Sequence, residues 1–300
     1  MVVFLNEKRV GELLSYEQLI PCMEKALAAL SAGEVVMPTR NIITVEENKR
    51  FLGVLPAVTK DGMGAKLVAF YPKNAGTKHH THTACIVLFD TETAEPLAFM
   101  DGGLITEMRT AAVSAAVTKY AAMHDSRVLA IMGSGVQAKA HLAAIRTVMD
   151  VREVRVWSNT AQHARDFAAK HGAIAMSAED AVRGADVVVV ATSSRTPVLK
   201  GDWLKKGAHV NSVGAAIATW REMDDAVMAN FVIADSREAV AKESGDVILS
   251  KALVAAEAGE IFSGKLELDR NLTTVFKSVG LAVEDIATAR LVYDLARAAK

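Results

Sequence analysis

An apolar run, Val128–Met132, leads directly into Gly133-Ser134-Gly135-Val136-Gln137-Ala138, after which a helical pattern begins. Few folds tolerate that order. The spacing is G-x-G-x-x-A between a strand and a helix, one form of the dinucleotide-binding turn. Gly133 permits the sharp turn, and Gly135 leaves room for a pyrophosphate against the backbone. Ala138 lets helix and strand pack closely, while the first N–H groups of the helix face an anion. Gly133, Ser134, Gly135, Val136 and Gln137 are therefore candidate cofactor contacts. The next strand, Glu153–Trp157, ends in Ser158-Asn159-Thr160 where NAD-preferring proteins of this pattern carry an Asp or Glu. Without that carboxylate nothing repels a 2′-phosphate. Ser158, Asn159 and Thr160 can bond it, with Arg165 one turn further on, so NADP is expected ahead of NAD.

The surrounding rhythm agrees with an α/β fold. Helix Val136–Val148, strand Glu153–Trp157, helix Thr160–Lys170, segment Ala178–Arg183 and strand Asp186–Thr192 follow in turn. Strands at His209–Gly214 and Phe231–Asp235 extend the series. The valines of 187–190 suit a strand covered on both faces of a parallel sheet. The first hundred residues read differently. A helix over Ser15–Leu30 stops near Gly33; then come strand-like runs Arg40–Val45, Phe51–Val58, Ala65–Tyr71, Ala84–Phe89 and Pro96–Met100. Asp61-Gly62 and Asp101-Gly102-Gly103 read as tight turns between them. Strands without intervening helices predict a mostly antiparallel sheet. An Ala-rich helix over Thr106–Tyr120 enters the second region, with Tyr120–Ser126 expected as a linker. With 300 residues, two domains are the natural partition.

Composition closes off other classes. Lys+Arg 34 against Asp+Glu 35 leaves no basic surface for nucleic acid or an anionic membrane. No apolar run approaches the roughly 18 residues of a membrane span. Only Cys22 and Cys85 occur, so a reducing, cytoplasmic setting is the simpler expectation, and the N-terminus has no signal-peptide pattern. His79, His80 and His82 imitate a metal cluster but lack Asp or Cys at ligand spacing, so no metal is expected and a polar loop is preferred. Lys66 interrupts an apolar strand and must be paired, functional or on a solvated edge. On residue chemistry alone Arg40 and Arg109 are ordinary ion-pair candidates. Glu284 and Asp285 are adjacent on a helical pattern, where neighbours do not face each other, so a structural use is favoured over a catalytic pair.

The chain as a whole resembles the ornithine cyclodeaminase/mu-crystallin family, its mu-crystallin (ketimine reductase) branch most of all. The resemblance rests on Leu52-Gly53-Val54-Leu55-Pro56-Ala57, Lys66-Leu67-Val68, and Phe99-Met100-Asp101-Gly102 running into Arg109-Thr110-Ala111-Ala112. Gly133–Ala138, Lys242-Glu243-Ser244-Gly245-Asp246 and Thr274-Val275-Phe276-Lys277-Ser278 through Gly280 to Glu284-Asp285 extend it. It implies a Rossmann domain over residues 113–280, with 1–112 and 281–300 forming an α+β substrate and dimerisation domain. It also implies a homodimer joined through the sheets of the substrate domains. Arg40, Lys66 and Arg109 match the cations that grip the substrate α-carboxylate. Thr81, His82, Arg109 and Thr110 match positions near the nicotinamide end of the cofactor. Thr192, Val213, Val279 and Gly280 match residues lining the same cleft.

Two departures bear on chemistry. The family's cyclodeaminases carry an Asp at the position of Ala216 and a Glu at that of Gly53; the mu-crystallin branch carries a Ser at the former. The resemblance therefore implies reduction of a cyclic ketimine, Δ1-pyrroline-2-carboxylate or Δ1-piperideine-2-carboxylate, by NAD(P)H, with an imino or amino acid as the small-molecule partner. The alternatives on this scaffold are an alanine or N-substituted amino-acid dehydrogenase, an ornithine cyclodeaminase, and a non-catalytic NADPH-dependent ligand carrier.

Overall fold

The computed structural model describes residues 2–47, 50–74 and 76–299, which form two compact units: one holds the described residues up to 109 and from 281 onward, the other 110–280. In the first unit, period-two alternation builds six strands: β1 (Val3–Leu5), β2 (Asn41–Glu46), β3 (Arg50–Val58), β4 (Met63–Phe70), β5 (His82–Phe89) and β6 (Pro96–Asp101). Their order is β1-β6-β5-β4-β3-β2, antiparallel throughout except for β1 on β6. The register sorts side chains into two faces. One cross-strand row runs Leu5, Met100, Ile86, Lys66, Leu55. The next, on the opposite face, runs Phe4, Phe99, Val87, Ala65, Pro56. The first face is packed by the C-terminal helix, Ala282–Ala298, which also packs on helix α2 (Tyr16–Ser31). A short α1 (Glu7–Leu13) is capped by the Asn6 side chain, which accepts from Arg9 N.

Asp101-Gly102-Gly103 is not a hairpin turn. Asp101 closes β6, and its Oδ1 accepts from Leu104 N at 2.9 Å, so the segment starts the helix α3 (Gly103–Ala121). A Cβ on Gly102 would sit 2.9 Å from Ala84 Cβ, which explains glycine at this crossing. The segment Tyr120–Ser126, expected as a linker, lies inside the second unit. The division between the units falls after Arg109, within an unbroken helix, because Ala111, Ala112, Val113, Ala115, Ala116 and Val117 are all core residues of the second unit.

That unit is built on an all-parallel eight-stranded sheet. Its strands are β7 (Val128–Met132), β8 (Glu153–Trp157), β9 (Ile174–Ala175), β10 (Val187–Val190), β11 (His209–Ser212), β12 (Phe231–Ala234), β13 (Val254–Glu257) and β14 (Thr274–Lys277). The order is β13-β12-β14-β11-β10-β7-β8-β9, which reverses direction at β7. Helices α4 (Val136–Ile145) and α5 (Ala161–His171) follow β7 and β8. As the valine run implied, Val187–Val190 is wholly buried at the centre of the sheet.

A polar thread runs through this apolar interior. His209 Nδ1 meets Thr274 Oγ1 at 2.8 Å and its Nε2 meets Asn211 Oδ1 at 3.2 Å; Asn211 then donates to Thr118 Oγ1. His141 Nδ1 lies 2.8 Å from Gln137 O and its Nε2 2.9 Å from Ser114 Oγ. Acceptors at Asn211 Oδ1 and Gln137 O place the ring protons on His209 Nε2 and His141 Nδ1. Both rings are neutral, and burial pulls each pKa down to about 4. Among the described residues no helix is long and apolar enough to cross a membrane.

Candidate active site

The candidate residues fall into two sets, one on each unit. In the first unit Lys66 sits on β4, a central strand flanked by β3 and β5, so the edge-strand reading is excluded. Its side chain is 97% buried, in the face packed by the C-terminal helix. Nζ is 2.6 Å from Asp285 Oδ2 and donates to Thr106 Oγ1 at 3.3 Å. Arg109, one turn after Thr106 on α3, joins the same carboxylate and that of Glu284. Its Nε lies 3.0 Å from Asp285 Oδ1 and its Nη1 2.5 Å from Glu284 Oε2.

Glu284 and Asp285 occupy the first turn of the C-terminal helix, where the helix dipole favours negative charge. Both are fully buried. Adjacent helical residues do point apart; a guanidinium fork is wide enough to reach both. The structural use expected of the two acids is to pair with Lys66 and Arg109, partners that the sequence did not name; their signal was two carboxylates within the otherwise apolar stretch Val279–Ile286. Desolvation draws the Lys66 pKa down to about 8. Asp285 opposes that fall, while the positive charges of Arg109 and Arg40 add to it. Both guanidinium groups named from the sequence therefore lie close enough to Lys66 to act on its charge. Arg40 is half-buried just before β2.

Thr81 and His82 lie where β5 begins, with Thr81 Oγ1 and His82 Nδ1 3.1 Å apart and the imidazole 4.5 Å from the Phe70 ring. His79 and His80 are exposed. Among the described residues no three His, Cys, Asp or Glu side chains converge to hold a metal. At Gly53 a Cβ would come within 3.1 Å of Val68 Cγ1 and 3.3 Å of Ile42 Cδ1 and Leu55 Cδ1, so a glutamate there requires its neighbours to move.

In the second unit, Gly133 has φ +119°, and a Cβ on it would lie 2.3 Å from Ala191 O. Only glycine brings this turn against the end of β10. Around Gly135 a Cβ would meet nothing within 4 Å, so its surroundings are open. Gly135 caps α4 without any side-chain bond, leaving the first N–H groups to an outside acceptor, and Val136 beside them is exposed. An uncapped helix start beside an open glycine turn fits a dinucleotide pyrophosphate. Ser134 Oγ donates to Ser158 Oγ at 3.0 Å, tying this turn to the end of β8. There Thr160 caps α5 with no side-chain bond, and Arg165 is exposed beside Gln162.

Thr192 follows β10, Val213 follows β11, and Val279 and Gly280 follow β14, so each lies at the carboxyl end of a strand, where ligands of open parallel sheets bind. Thr110 is buried, next in the chain to Arg109. Ala216 is half-buried in the loop after β11.

The sequence pattern of the ornithine cyclodeaminase/mu-crystallin family matches residues 2–300. Ketimine reductase mu-crystallin of Macropus fuliginosus is 44% identical over 302 residues, spanning 97% of this chain and 96% of the relative. Among solved structures, Thermococcus litoralis Δ1-pyrroline-2-carboxylate reductase in complex with NADH and L-proline superposes with a TM-score of 0.93 at 35% identity. That superposition covers 100% of this chain and 98% of the other. An archaeal alanine dehydrogenase dimer with bound NAD gives 0.93 at 30% identity, covering 99% and 97%.

Proposed function

This chain belongs to the ornithine cyclodeaminase/mu-crystallin family, and on that premise we propose that it is an NAD(P)H-dependent reductase of cyclic ketimines. It takes Δ1-pyrroline-2-carboxylate or Δ1-piperideine-2-carboxylate to L-proline or L-pipecolate. One observation carries the reading: a buried lysine with its pKa drawn down to about 8 beside a guanidinium, on a scaffold whose solved relative binds NADH and L-proline.

Arg40 and Arg109 hold the substrate carboxylate by charge-assisted hydrogen bonds. Fixing that anion sets the position of the C=N carbon, so that the protein contributes orientation. When bound, the nicotinamide supplies the hydride. Lys66 supplies the proton. With a pKa near 8 the ammonium is the major form at neutral pH and still acidic enough to give a proton to the imine nitrogen. Asp285, paired to both Lys66 and Arg109, keeps the two side chains in place. Ala216 and Gly53 leave two positions without the carboxylates a cyclodeaminase carries, which argues against deaminating ring closure.

NADPH is the preferred donor in this reading. None of residues 157–165 is acidic, and the uncapped start of α5 offers N–H groups to a 2′-phosphate. The working form is a homodimer closed through the outward face of the six-stranded sheet. The test is spectrophotometric: NADPH and NADH are each followed on adding either imine, and pyruvate with ammonia in a parallel cell. Oxidation by an imine, faster with NADPH, is the expected result. Turnover confined to pyruvate with ammonia would transfer the assignment to an amino-acid dehydrogenase, the reading favoured by the archaeal alanine dehydrogenase relative.

A further inference from the structure

Four ionisable side chains of the second unit are wholly buried at the carboxyl ends of its strands: Glu222, Asp235, Asp246 and Lys277. Lys277 closes β14; its Nζ is 3.0 Å from Asp246 Oδ2 and donates to Ser212 Oγ at 3.1 Å. Asp246 Oδ1 accepts from the backbone of Glu222 and Met223 at 2.8 and 3.0 Å. Glu222 then reaches two loops at once. Its Oε1 accepts from Thr192 N at 2.7 Å and Thr192 Oγ1 at 2.6 Å, after β10. Its Oε2 accepts from Gly214 N at 2.8 Å and Ala215 N at 3.0 Å, after β11.

Asp235, after β12, does the same for the loop after β14. Oδ2 accepts from Ser278 Oγ, Val279 N and Gly280 N at 2.8, 2.8 and 2.9 Å, and Oδ1 from Ser236 N at 2.8 Å. Backbone N–H groups donate to both oxygens of each acid, an arrangement that favours the carboxylate form against the burial that raises both pKa values. Three acids are thus buried with a single lysine.

The sheet order says which half of a dinucleotide these charges face. The pyrophosphate turn follows β7, and the ribose-selecting segment 158–160 follows β8, on one side of it. In a doubly wound sheet the second nucleotide lies across the reversal point, over the ends of β10, β11 and β14. Those are the loops that Glu222 and Asp235 hold. An oxidised nicotinamide is a cation and the reduced ring is neutral, so a fixed negative charge beneath it distinguishes the two.

Resting on the nucleotide reading above, we infer that Glu222 and Asp235 are positioning residues that also set redox preference. They fix the loops under the nicotinamide with buried anions, and so favour its oxidised form and its power to donate hydride. Binding, rather than turnover, tests this. The full-length protein is titrated with NADPH, NADP+, NADH and NAD+, and a dissociation constant is taken for each.

Glu222→Gln and Asp235→Asn remove charge at near-constant size. Each is expected to weaken the oxidised form relative to the reduced form by about tenfold, as for a buried charge near the ring. Glu222→Asp keeps the charge and shortens the reach; both forms weaken with their ratio unchanged. Equal losses for oxidised and reduced cofactor in both Glu222→Gln and Asp235→Asn would leave a purely structural role and overturn the proposal. A wild-type protein that binds none of the four nucleotides would instead bring down the nucleotide reading, and this inference with it.

Discussion

Single side chains decide the pH behaviour of this protein. Lys66 is the sharpest case, because its ammonium is caught between Asp285, which favours the charge, and burial, which opposes it more strongly. The protonated form is present below about pH 8 and is lost as pH rises through that value. For a group that donates the proton, kcat/KM for imine reduction is expected to be level near neutrality and to fall above pH 8, about tenfold per unit. Lys66→Arg should erase that limb, since a guanidinium keeps its proton there, with activity lowered about a hundredfold or more and NADPH affinity unchanged. A limb that survives in Lys66→Arg belongs to some other group. The buried histidines act in the opposite pH range and on stability. His141 and His209 protonate near 6.5 when unfolded but only near 4 when folded. The unfolded chain therefore takes up protons first, and stability drops as pH falls from 6.5 towards 4. Each ring contributes up to about 3 kcal/mol of that loss. Urea midpoints at pH 7 and 4.5 measure it, and His141→Gln should reduce the difference between them.

Elements matter here chiefly through the loops that end them. Gly214 follows β11, and a Cβ on it would lie 2.2 Å from Thr192 O and 2.3 Å from Glu222 Oε1. Gly214→Ala must therefore push apart the loops after β10 and β11. The expected outcome is a loss of cofactor affinity of about tenfold or more, with melting temperature lowered by a few degrees; unchanged affinity in a nucleotide titration would detach these loops from cofactor binding. Glycine at this point was unremarkable in the sequence, whereas Gly133–Ala138 was plain, because that turn is made by neighbours in the chain. The same distinction runs through the fold. Strands β7 and β8 were legible to the residue, since period and flanking turns are local. The short β1 and β13 were not, being three and four residues that acquire strand geometry only by pairing with β6 and β12. Lys66 announced itself as a charge in an apolar strand. Asp285 and Glu284, more than 200 residues away, were visible only as acids in an apolar helix. No local rule could join them to Lys66 and Arg109, nor tell Glu222 from a surface carboxylate.

For the whole molecule the unmet demand is the outward face of the six-stranded sheet. Alternation commits Lys66, Leu55, Ile86 and Met100 to the side packed by the C-terminal helix, which leaves the other side to be covered. That side is apolar along Phe4, Phe99, Val87, Ala65 and Pro56, and in the next row Val54, Leu67 and Cys85 lie between Asn41 and Asp101. Phe4 is 78% exposed and stacks on the 40% exposed Phe99 at 5.9 Å; Ile43 is 47% exposed. A continuous apolar sheet face is costly to leave in water. A second copy placed on it by a twofold axis covers both faces at once, and each residue then enters the contact twice. Phe99→Asp therefore places two carboxylates in a desolvated interface, where an unpaired charge is strongly unfavourable. Sedimentation or light scattering should give a dimer for the parent chain and half that mass for Phe99→Asp. Because Phe99 and Lys66 point to opposite faces, the monomer should keep the proton-donating limb near pH 8 even as it separates. A Phe99→Asp protein that remains dimeric would show that the copies meet elsewhere. A monomer whose pH profile has moved would show instead that the two faces of the sheet are coupled.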